Sequence, residues 1–223
     1  MRQPRASKTA RSRMRLRDRR APPARDEHGQ SERRGIILDA ALAEFAAQGF
    51  AATRLEDIAR RAGVAKGTLY LYFRDKETLF KELVRSRLSP LVGAIRTAAA
   101  RDLSVRALVE LILHVFLTEI YGTSRKDIIR LIISEGPRFP ELAEFYYREV
   151  IARVLPLLRK RLRQAVKTGE LRHDALARFP QLLVAPAVVA ILWSALFDRF
   201  SPLDAKAFLR AHLEVLFSAG ARS

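Results

Sequence analysis

The chain has 223 residues, of which 49% are hydrophobic and 29% are charged, so it is long and apolar enough to bury a core. Its formal net charge of +17 predicts an anionic partner, either nucleic acid or an anionic membrane surface. The chain has no cysteine, which excludes disulfides, thiolate zinc sites and cysteine nucleophiles. No apolar segment follows the basic N-terminus, so this region does not have the pattern of a signal peptide.

Residues 1–31 are predicted to be a disordered basic tail. Ten of the 41 Lys and Arg residues lie between Met1 and Arg25 with one acid, Asp18, and Pro22-Pro23 interrupts the segment. So few aliphatic side chains cannot offset the entropy cost of ordering the segment. Two interpretations are open: an arm that adds non-specific affinity for phosphate, or a solvated extension produced by a mis-assigned start codon or without a role.

From Glu32 onward the pattern is helical and no stretch alternates with period two, which predicts an all-α fold of about nine helices. Ile37, Ala41 and Phe45 are spaced at i, i+4 and i+8, so they give the first helix one apolar stripe, and Gly49 is suited to end it. Further helices are predicted to begin at about Asp75 and to cover residues 103–121, 126–135, 138–168, 174–197 and 204–219.

The segment after the first helix has the pattern of a helix-turn-helix. Thr53 and Glu56 have the spacing of a capping box, which predicts the start of a second helix. Ala59 is small enough for two helices to cross steeply, and Gly63 tolerates the positive φ of a tight turn four residues later. A third helix is predicted over Lys66–Tyr72. The apolar residues expected to hold both helices against the first are Leu55, Ile58, Ala62, Val64, Leu69 and Phe73.

The exposed residues of this third helix predict contacts with DNA, because the N-terminal end of such a helix meets base edges. Lys66 can donate to guanine O6 and N7, Thr68 can contact thymine, and Gly67 allows close approach of the backbone. The alternative, an ordinary helical hairpin inside a core, explains the small residues but not the net charge. The candidate phosphate contacts are Thr53, Arg54, Tyr70, Tyr72 and Lys76.

Four runs of residues together carry a family resemblance: 37–50, Thr53 with 57–59, 63–70, and 72–73 with 76–79. They make residues 33–80 closely similar to the N-terminal domain of the tetracycline-repressor (TetR) family. The resemblance implies an all-α homodimer. Two positions depart from the family pattern: Arg54 stands where Ser or Thr is common, and Leu71, which either contacts a thymine methyl or packs, stands where a polar or aromatic residue is frequent. The residues that the resemblance implies face DNA are Lys66, Gly67, Thr68, Tyr70, Tyr72 and Lys76.

On this basis residues 32–78 are predicted to be a helix-turn-helix DNA-binding domain, and residues 79–223 a helical bundle for ligand binding and dimerisation. Apolar stripes along the helices of this bundle predict either a pocket between helices or a filled core. Residues 130–142 also resemble the ligand domain of a TetR subgroup often associated with efflux-pump control. The candidate pocket residues are Phe116, Ile120, Phe145 and Trp193.

The last two helical segments, Phe179–Phe197 and Ala205–Phe217, have more apolar surface than one chain can cover, which predicts an isologous dimer. The first of them is also the longest uncharged run, and its length approaches that of a membrane span. Pro180, Gln181 and Pro186 within it favour a buried interface helix, so no membrane partner is predicted.

A basic run between Arg159 and Lys167 is interpreted as a solvated helix face, with a second anion-binding patch as the alternative. His114 lies among apolar residues and is expected to be a hydrogen-bonded core histidine. The four histidines lack metal-ligand spacing, and neither a glycine-rich phosphate loop nor a Gly-x-Ser-x-Gly elbow is present. The sequence therefore predicts no enzyme, no metal and no cofactor.

The chain is accordingly expected to be a ligand-responsive transcriptional regulator, a repressor, in the bacterial cytoplasm and at the nucleoid. A homodimer would place two Lys66–Tyr72 helices in successive major grooves, about 34–36 Å apart, on a pseudo-palindromic operator. An unknown apolar or amphipathic effector would favour a form with wrongly spaced helices and release the DNA. The alternative function is non-specific binding of nucleic acid or anionic membrane, driven by the basic tail.

Overall fold

A computed structural model describes residues 24–218, which are helical with no strand, so the all-α prediction is confirmed for this range. The elements in chain order are α1 (Ala24–Ala52), α2 (Leu55–Arg61), α3 (Lys66–Tyr72), α4 (Lys76–Ala99), α5 (Val105–Val115), a first π-helix (Phe116–Tyr121), α6 (Arg125–Glu135), α7 (Pro140–Tyr146), a second π-helix (Tyr147–Ile151), α8 (Ala152–Lys167), α9 (Ala175–Arg178), a 3₁₀-helix (Pro180–Leu183), α10 (Ala185–Phe197) and α11 (Ala205–Ser218).

Helix α1 begins earlier than the sequence predicts. Residues 24–31 are helical, so the prediction of a disordered tail is wrong for them, because a helix already nucleated by packing extends at little cost. Residues 1–23 of the predicted tail lie outside the described residues. Among the described helices, residues 29–52 alone are long and apolar enough to cross a membrane by length and composition. Ile37, Ala41 and Phe45 of this stretch are at most 1% exposed, which is typical of a core helix.

Helices α2 and α3 form the predicted helix-turn-helix against α1. Gly63 in the turn has a φ of 65°, as its position in the pattern requires. The turn is closed by backbone bonds from Gly63 N to Arg60 O (3.2 Å) and from Val64 N to Ala59 O (3.0 Å). Ala59 is buried where the two helices cross. The local geometry of this motif therefore follows from its small residues.

The predicted capping box at the start of α2 is wrong. Arg54 is the N-cap residue, and no side chain caps the helix. The Thr53 hydroxyl instead donates to the carbonyls of Gly49 (2.7 Å) and Glu44 (3.3 Å), so it closes the end of α1. Gly49 is the cause, because its non-helical conformation (φ 78°, ψ 165°) turns the chain and leaves the last carbonyls of α1 in need of donors.

Helix α4 connects two hydrophobic cores. Its first half packs with the helix-turn-helix, through Phe80 and Leu83, in a core that also contains Ile128 of α6 and Leu142 of α7. Its last residues belong to a second core, formed with α5 and with α8 to α11. Its 24 residues span about 36 Å, and the predicted domain boundary after residue 78 falls inside this helix.

The helix predicted over residues 174–197 is broken into three pieces. Helix α9 ends at Arg178, a 3₁₀-helix covers Pro180–Leu183, and α10 begins at Ala185. Proline lacks a backbone N–H and disfavours helical geometry in the residue before it, which ends α9 ahead of Pro180. The predicted helices over 103–121 and 138–168 are nearly continuous, because α5 and α7 each lead into a π-helix.

Large apolar side chains remain exposed along residues 179–200 and on α11, and this set is called the uncovered apolar face below. Leu196 is 60% exposed and Phe200 is 70% exposed, and Val215 of α11 is exposed as well. This is the surface that the sequence predicts for dimer formation. The other large apolar side chains exposed here are Phe179, Leu182, Val184, Val188, Val189, Trp193 and Phe197.

We expect Gly49→Ala to destabilise the fold more than Gly63→Ala, although both glycines have a positive φ. A Cβ at Gly63 meets no atom within 4 Å, so only the backbone strain of about 1 kcal/mol applies. A Cβ at Gly49 would lie 2.5 Å from Oε1 of Glu135, which must then release the N–H of Phe50 that it accepts at 3.2 Å. That loss adds about 1 kcal/mol, measurable as a difference in the free energy of unfolding in urea.

The control is the same pair of substitutions in a Glu135→Ala background, where the difference between them should shrink by about 1 kcal/mol. The remainder is the extra backbone strain at Gly49, whose φ of 78° and ψ of 165° are almost exclusive to glycine. Equal costs of the two alanines in the otherwise unchanged protein would contradict the assigned role of Glu135.

Candidate nucleic-acid interface and cavity

Helix α3 has one buried and one exposed side. Leu69 is completely buried in the first core, and Phe73, which follows the helix, is buried as well. Lys66, Gly67 and Tyr70 are exposed, whereas Thr68 and Tyr72 are half-buried. Leu71 is 86% exposed and therefore does not pack within the chain. The candidate base-contacting residues thus lie at the accessible N-terminal end of α3.

Lys66 is paired with an acid of α2. Its Nζ lies 2.6 Å from Oε1 of Glu56 and 5.8 Å from the centroid of the Tyr70 ring. The side-chain hydrogen bond between the two groups raises the pKa of Lys66 and lowers that of Glu56, so both remain charged. A guanine contact of Lys66 would therefore have to share its ammonium with this carboxylate or displace it. The pairing of Lys66 with Glu56 could not be predicted from the sequence, because the distance between α2 and α3 depends on the turn.

Gly67 is not required by the packing of the protein. A Cβ at this position would meet no protein atom within 4 Å, and the residue has an ordinary helical conformation. The absence of a side chain therefore leaves space on the outside of α3. This matches the expectation that the backbone here approaches another molecule closely.

The side chain of Thr53 does not face a phosphate, which corrects its predicted role. It is 2% exposed, and its hydroxyl is committed to two carbonyls of α1. Arg54 is exposed at the start of α2, where its carbonyl accepts from the backbone N–H groups of Asp57 and Ile58. Tyr72 packs beside Phe73 at a ring-centroid distance of 6.4 Å, so only part of it is available to DNA.

Lys76 has a structural position that the sequence did not predict. Its ammonium donates to the carbonyls of Phe50 (2.7 Å), Ala51 (2.7 Å) and Thr53 (3.4 Å), and it lies 4.8 Å from the centroid of the Phe50 ring. Burial lowers the pKa of Lys76. Lys76 therefore closes the end of α1 in this structure, and its phosphate contact stays a prediction.

Phe50 is the centre of an aromatic cluster at the same place. Its ring centroid is 5.3 Å from that of Phe45, 5.0 Å from that of Phe139 and 6.2 Å from that of Phe80. These rings come from α1, from the turn before α7 and from α4. The helix-turn-helix is therefore joined to the rest of the chain by a packed aromatic contact together with Lys76.

A cavity of about 540 Å³ lies between α4, α5, α8 and α10. This volume is within the usual range of small-molecule sites. Its wall is almost entirely aliphatic, and its polar side chains are those of Tyr146, Tyr147, Arg159 and Gln181. The apolar wall includes Leu88, Val92, Ile95, Ile112, Phe116, Ile120, Val150, Val154, Leu158, Ala187 and Ile191.

Of the four candidate pocket residues, Phe116 and Ile120 line this cavity, and Phe145 and Trp193 do not. Phe145 is 3% exposed in the first core, beneath the cations of Lys81 and Arg85, because the opposite side of its helix faces the cavity. The indole N–H of Trp193 donates to Ser201 O (2.7 Å) on the uncovered apolar face.

His114 also differs from the prediction. It is exposed on the outer side of α5 rather than buried in the core.

Both π-helices contribute to the wall of the cavity. The first provides Phe116 and Ile120, and the second provides Tyr147, Val150 and Ile151. A π-helix has one extra residue in its turn and is frequent at functional sites. Burial raises the pKa of the neighbouring Tyr146 to about 12, so its hydroxyl is uncharged at neutral pH. The described residues contain no group of three or more His, Cys, Asp or Glu that could hold a metal.

Comparison with known proteins identifies the family. Residues 37–83 match the family model described as bacterial regulatory proteins, tetR family, and residues 105–214 match the C-terminal domain of AefR-like transcriptional repressors. The HTH-type transcriptional repressor KstR2 of Rhodococcus jostii (strain RHA1) is 33% identical over 181 residues, which cover 77% of this chain and 84% of that repressor. The chain belongs to the TetR family.

Solved structures have the same fold as this TetR-family chain. The transcriptional regulator FadR from Bacillus subtilis, in complex with stearoyl-CoA, has a TM-score of 0.64 at 21% identity and covers 82% of this chain and 97% of its own. The fatty acid degradation regulator FadR from Bacillus halodurans has a TM-score of 0.67 at 22% identity, covering 82% and 94%.

As a member of the TetR family, the protein is a DNA-binding transcriptional regulator, as predicted. Non-specific binding of nucleic acid or membrane by a basic tail, the alternative, does not fit this assignment. The family consists of transcriptional regulators rather than enzymes. Its members bind DNA operators and small-molecule effectors, typically as dimers.

We expect Lys76→Met to lower the free energy of unfolding by about 2 kcal/mol, since buried carbonyls lose their donor. The substitution should leave the salt dependence of DNA binding unchanged.

Arg54→Gln, which removes an exposed cation beside α2, should instead lower the slope of log affinity against log salt by about one without altering stability. Unfolding in urea and salt titrations of DNA binding check both variants. If Lys76→Met instead has normal stability and a lowered salt slope, Lys76 contacts a phosphate rather than stabilising the fold.

Proposed function

We propose that this regulator represses transcription by binding a pseudo-palindromic operator as a homodimer, and that an apolar or amphipathic effector in the cavity releases it. It acts in the bacterial cytoplasm, on the nucleoid. The observation that carries the proposal is that one helix, α4, begins beside the recognition helix α3 and ends in the cavity wall.

The exposed end of α3 supports the assignment of base contacts. Lys66 would donate to guanine, and Thr68 would contact a neighbouring base, with Gly67 allowing the helix to approach the groove. Leu71 is apolar and packs on nothing in its own chain, which favours contact with a thymine methyl. Arg54, Tyr70 and Tyr72 would contact phosphates on either side.

The uncovered apolar face of α10 and α11 supports the homodimer. Monomeric proteins rarely leave contiguous apolar patches exposed, and Phe200, Leu196 and Val215 would be covered by a second copy. A two-fold axis through this face makes the contact self-complementary and gives the two α3 helices the symmetry of a palindromic site. Successive major grooves require them to lie about 34–36 Å apart.

Two helices connect the cavity to the DNA-binding unit. Leu88, Val92 and Ile95 of α4 line the cavity, whereas Lys76 at its start holds the end of α1. Helix α6 has Ile129 in the cavity wall and Glu135 bonded to Phe50 N. An effector that displaces either helix therefore changes the position of α1 to α3. Thermodynamic linkage requires that the effector lower the affinity for the operator by the same factor as the operator lowers the affinity for the effector.

The aliphatic wall of the cavity supports an effector with an extended apolar part. FadR from Bacillus subtilis has the same fold and was solved in complex with stearoyl-CoA, which contains such a chain. We accordingly assign the cavity to an apolar chain rather than to a compact polar metabolite.

The operator contact is tested with Lys66→Ala, measured on the palindromic sequence upstream of the protein's own or a neighbouring gene. The loss of one base contact should weaken specific binding by about 1–3 kcal/mol and affect random DNA much less. Lys160→Ala, which removes an exposed cation of α8, is the matched control and should bind the operator normally. Unchanged affinity and specificity of both Lys66→Ala and Tyr72→Phe would contradict the assignment of α3.

The effector site is tested with Ala187→Phe, which fills the cavity from α10. The apolar dye N-phenyl-1-naphthylamine should bind the normal protein. The dye should lower the affinity for the operator, and the operator should lower the affinity for the dye by the same factor. Ala187→Phe should lose at least about tenfold in dye affinity, because the ring occupies the site, and should keep operator binding. Ala152→Phe, at an exposed position of α8, should behave normally. Dye binding that Ala187→Phe leaves intact, or that the operator does not affect, would refute this site.

A further inference from the structure

We propose that one face of α8 binds the phosphates of a second DNA duplex, so that a regulator bound to DNA through α3 also holds another DNA segment. This face, called the basic face below, consists of Arg159, Lys160, Arg163 and Lys167. The proposal goes beyond the proposed function, because it assigns a partner to a surface that neither operator recognition nor dimer formation requires.

The basic face is an open groove with one sign of charge. Its lining consists of the four cations together with Pro156 and Gln164. Helix α8 contains no Asp or Glu. Three of the cations are exposed and Arg159 is half-buried. The first and the last cation are eight residues apart, so the row extends over about 12 Å of the helix.

The cations of the basic face have no acidic partner among the residues that the structure describes. Acids that are close to them in the chain have other partners: Glu149 pairs with Arg153 (2.6 Å), and Glu170 accepts from Val105 N. Like charges four residues apart on a helix, such as those at positions 159 and 163, repel each other. A bound polyanion would relieve this repulsion.

The basic face and the recognition helix lie at opposite ends of α4. Helix α4 begins at Lys76, which holds the end of α1, and its 24 residues span about 36 Å. The turn after α4 contacts α8, because the guanidinium of Arg161 donates to Leu103 O. Arg161 is in the middle of the residues that form the basic face, so most of the length of α4 separates this face from α3.

This separation means that the basic face does not strengthen the contact of α3 with its own DNA site. Exposed charges are largely screened beyond a Debye length of about 8 Å at physiological ionic strength, which is much shorter than α4. The phosphates that the face binds must therefore belong to a different stretch of DNA. A second stretch on the same chromosome has a high effective concentration near the bound protein, so a weak contact is sufficient.

The chemistry of the face favours duplex DNA over a membrane or an acidic protein. Each strand of a duplex has one phosphate per about 3.4 Å of its axis, so a row of about 12 Å matches about four phosphates. A membrane-surface helix inserts apolar side chains, but the apolar side of α8, with Leu158, Leu162 and Ala165, is buried in the second core. Protein interfaces have an apolar centre, and this groove offers only Pro156.

The test is a capture experiment with the full-length protein. The operator duplex is attached to beads and loaded with protein, and the retention of a fluorescent duplex of random sequence is then measured at increasing salt. We expect the second duplex to be retained. Contact of one basic face with four phosphates should give a slope of about −3.6 for log affinity against log salt.

The variant Arg163→Gln/Lys167→Gln should bind the operator on the beads normally, which shows that it is folded. Its affinity for the second duplex at low salt should fall by at least about tenfold, and the salt slope should fall by about half, because two of the four phosphate contacts are lost. Arg130→Gln/Arg148→Gln is the matched control. It lowers the net charge equally, but each of these exposed arginines already has an acidic partner, so capture should be normal.

Three results would overturn the proposal. The first is that the normal protein, bound to its operator, retains no second duplex. The second is undiminished capture by Arg163→Gln/Lys167→Gln, which would assign capture to other cations, such as those of residues 1–23. The third is an equal loss in the control variant, which would make net charge the cause.

Vesicles of phosphatidylglycerol provide the comparison with a membrane. Binding of these vesicles through the same four cations, without capture of a second duplex, would also overturn the proposal. Operator binding is measured on the same beads, so failure of the proposed operator contact is seen separately from failure of the second contact.

Discussion

The ammonium of Lys76 holds the end of α1, and the rest of the structure depends on this contact. The turn at Gly49 brings three carbonyls within reach of this one ammonium, and loss of the donor would cost about 2 kcal/mol in total. Lys76 is also the first residue of α4. The same charge therefore fixes the helix-turn-helix to the helix that lines the cavity, with the ring of Phe50 packed beneath it. The helix-turn-helix and the cavity are thus joined through a single helix.

The parts of the DNA-binding site that depend on backbone conformation could be predicted from the sequence. Gly63 is required by a turn with positive φ, and the turn then determines where α3 lies and which of its residues are exposed. The backbone contacts of Thr53 and Lys76 could not be predicted, because both are polar residues beside helix ends, where contacts with DNA and contacts with the backbone have the same sequence pattern. Their partners are carbonyls, which every residue has, so no pattern of side chains reveals them.

The cavity shows a second limit of sequence patterns. The stripe through Ile112, Phe116 and Ile120 correctly indicates one wall, because residues four apart stay on nearly the same side both in α5 and in the first π-helix, whose turn is one residue longer. A π-helix inserts one residue and rotates everything after it by roughly 100°, so regular spacing no longer tells which side faces inward. Phe145 and Trp193 were large and apolar, but the orientation of their helices depends on contacts far away in the chain.

The ion pair between Lys66 and Glu56 has a consequence for how the protein distinguishes between DNA sequences. Under the proposed base contact, guanine has to compete with Glu56 for the ammonium of Lys66, whereas a base without acceptors in the right place offers nothing in exchange. An exposed pair of this kind contributes little, so the acid would sharpen the discrimination between sequences by a small factor at the cost of a little affinity.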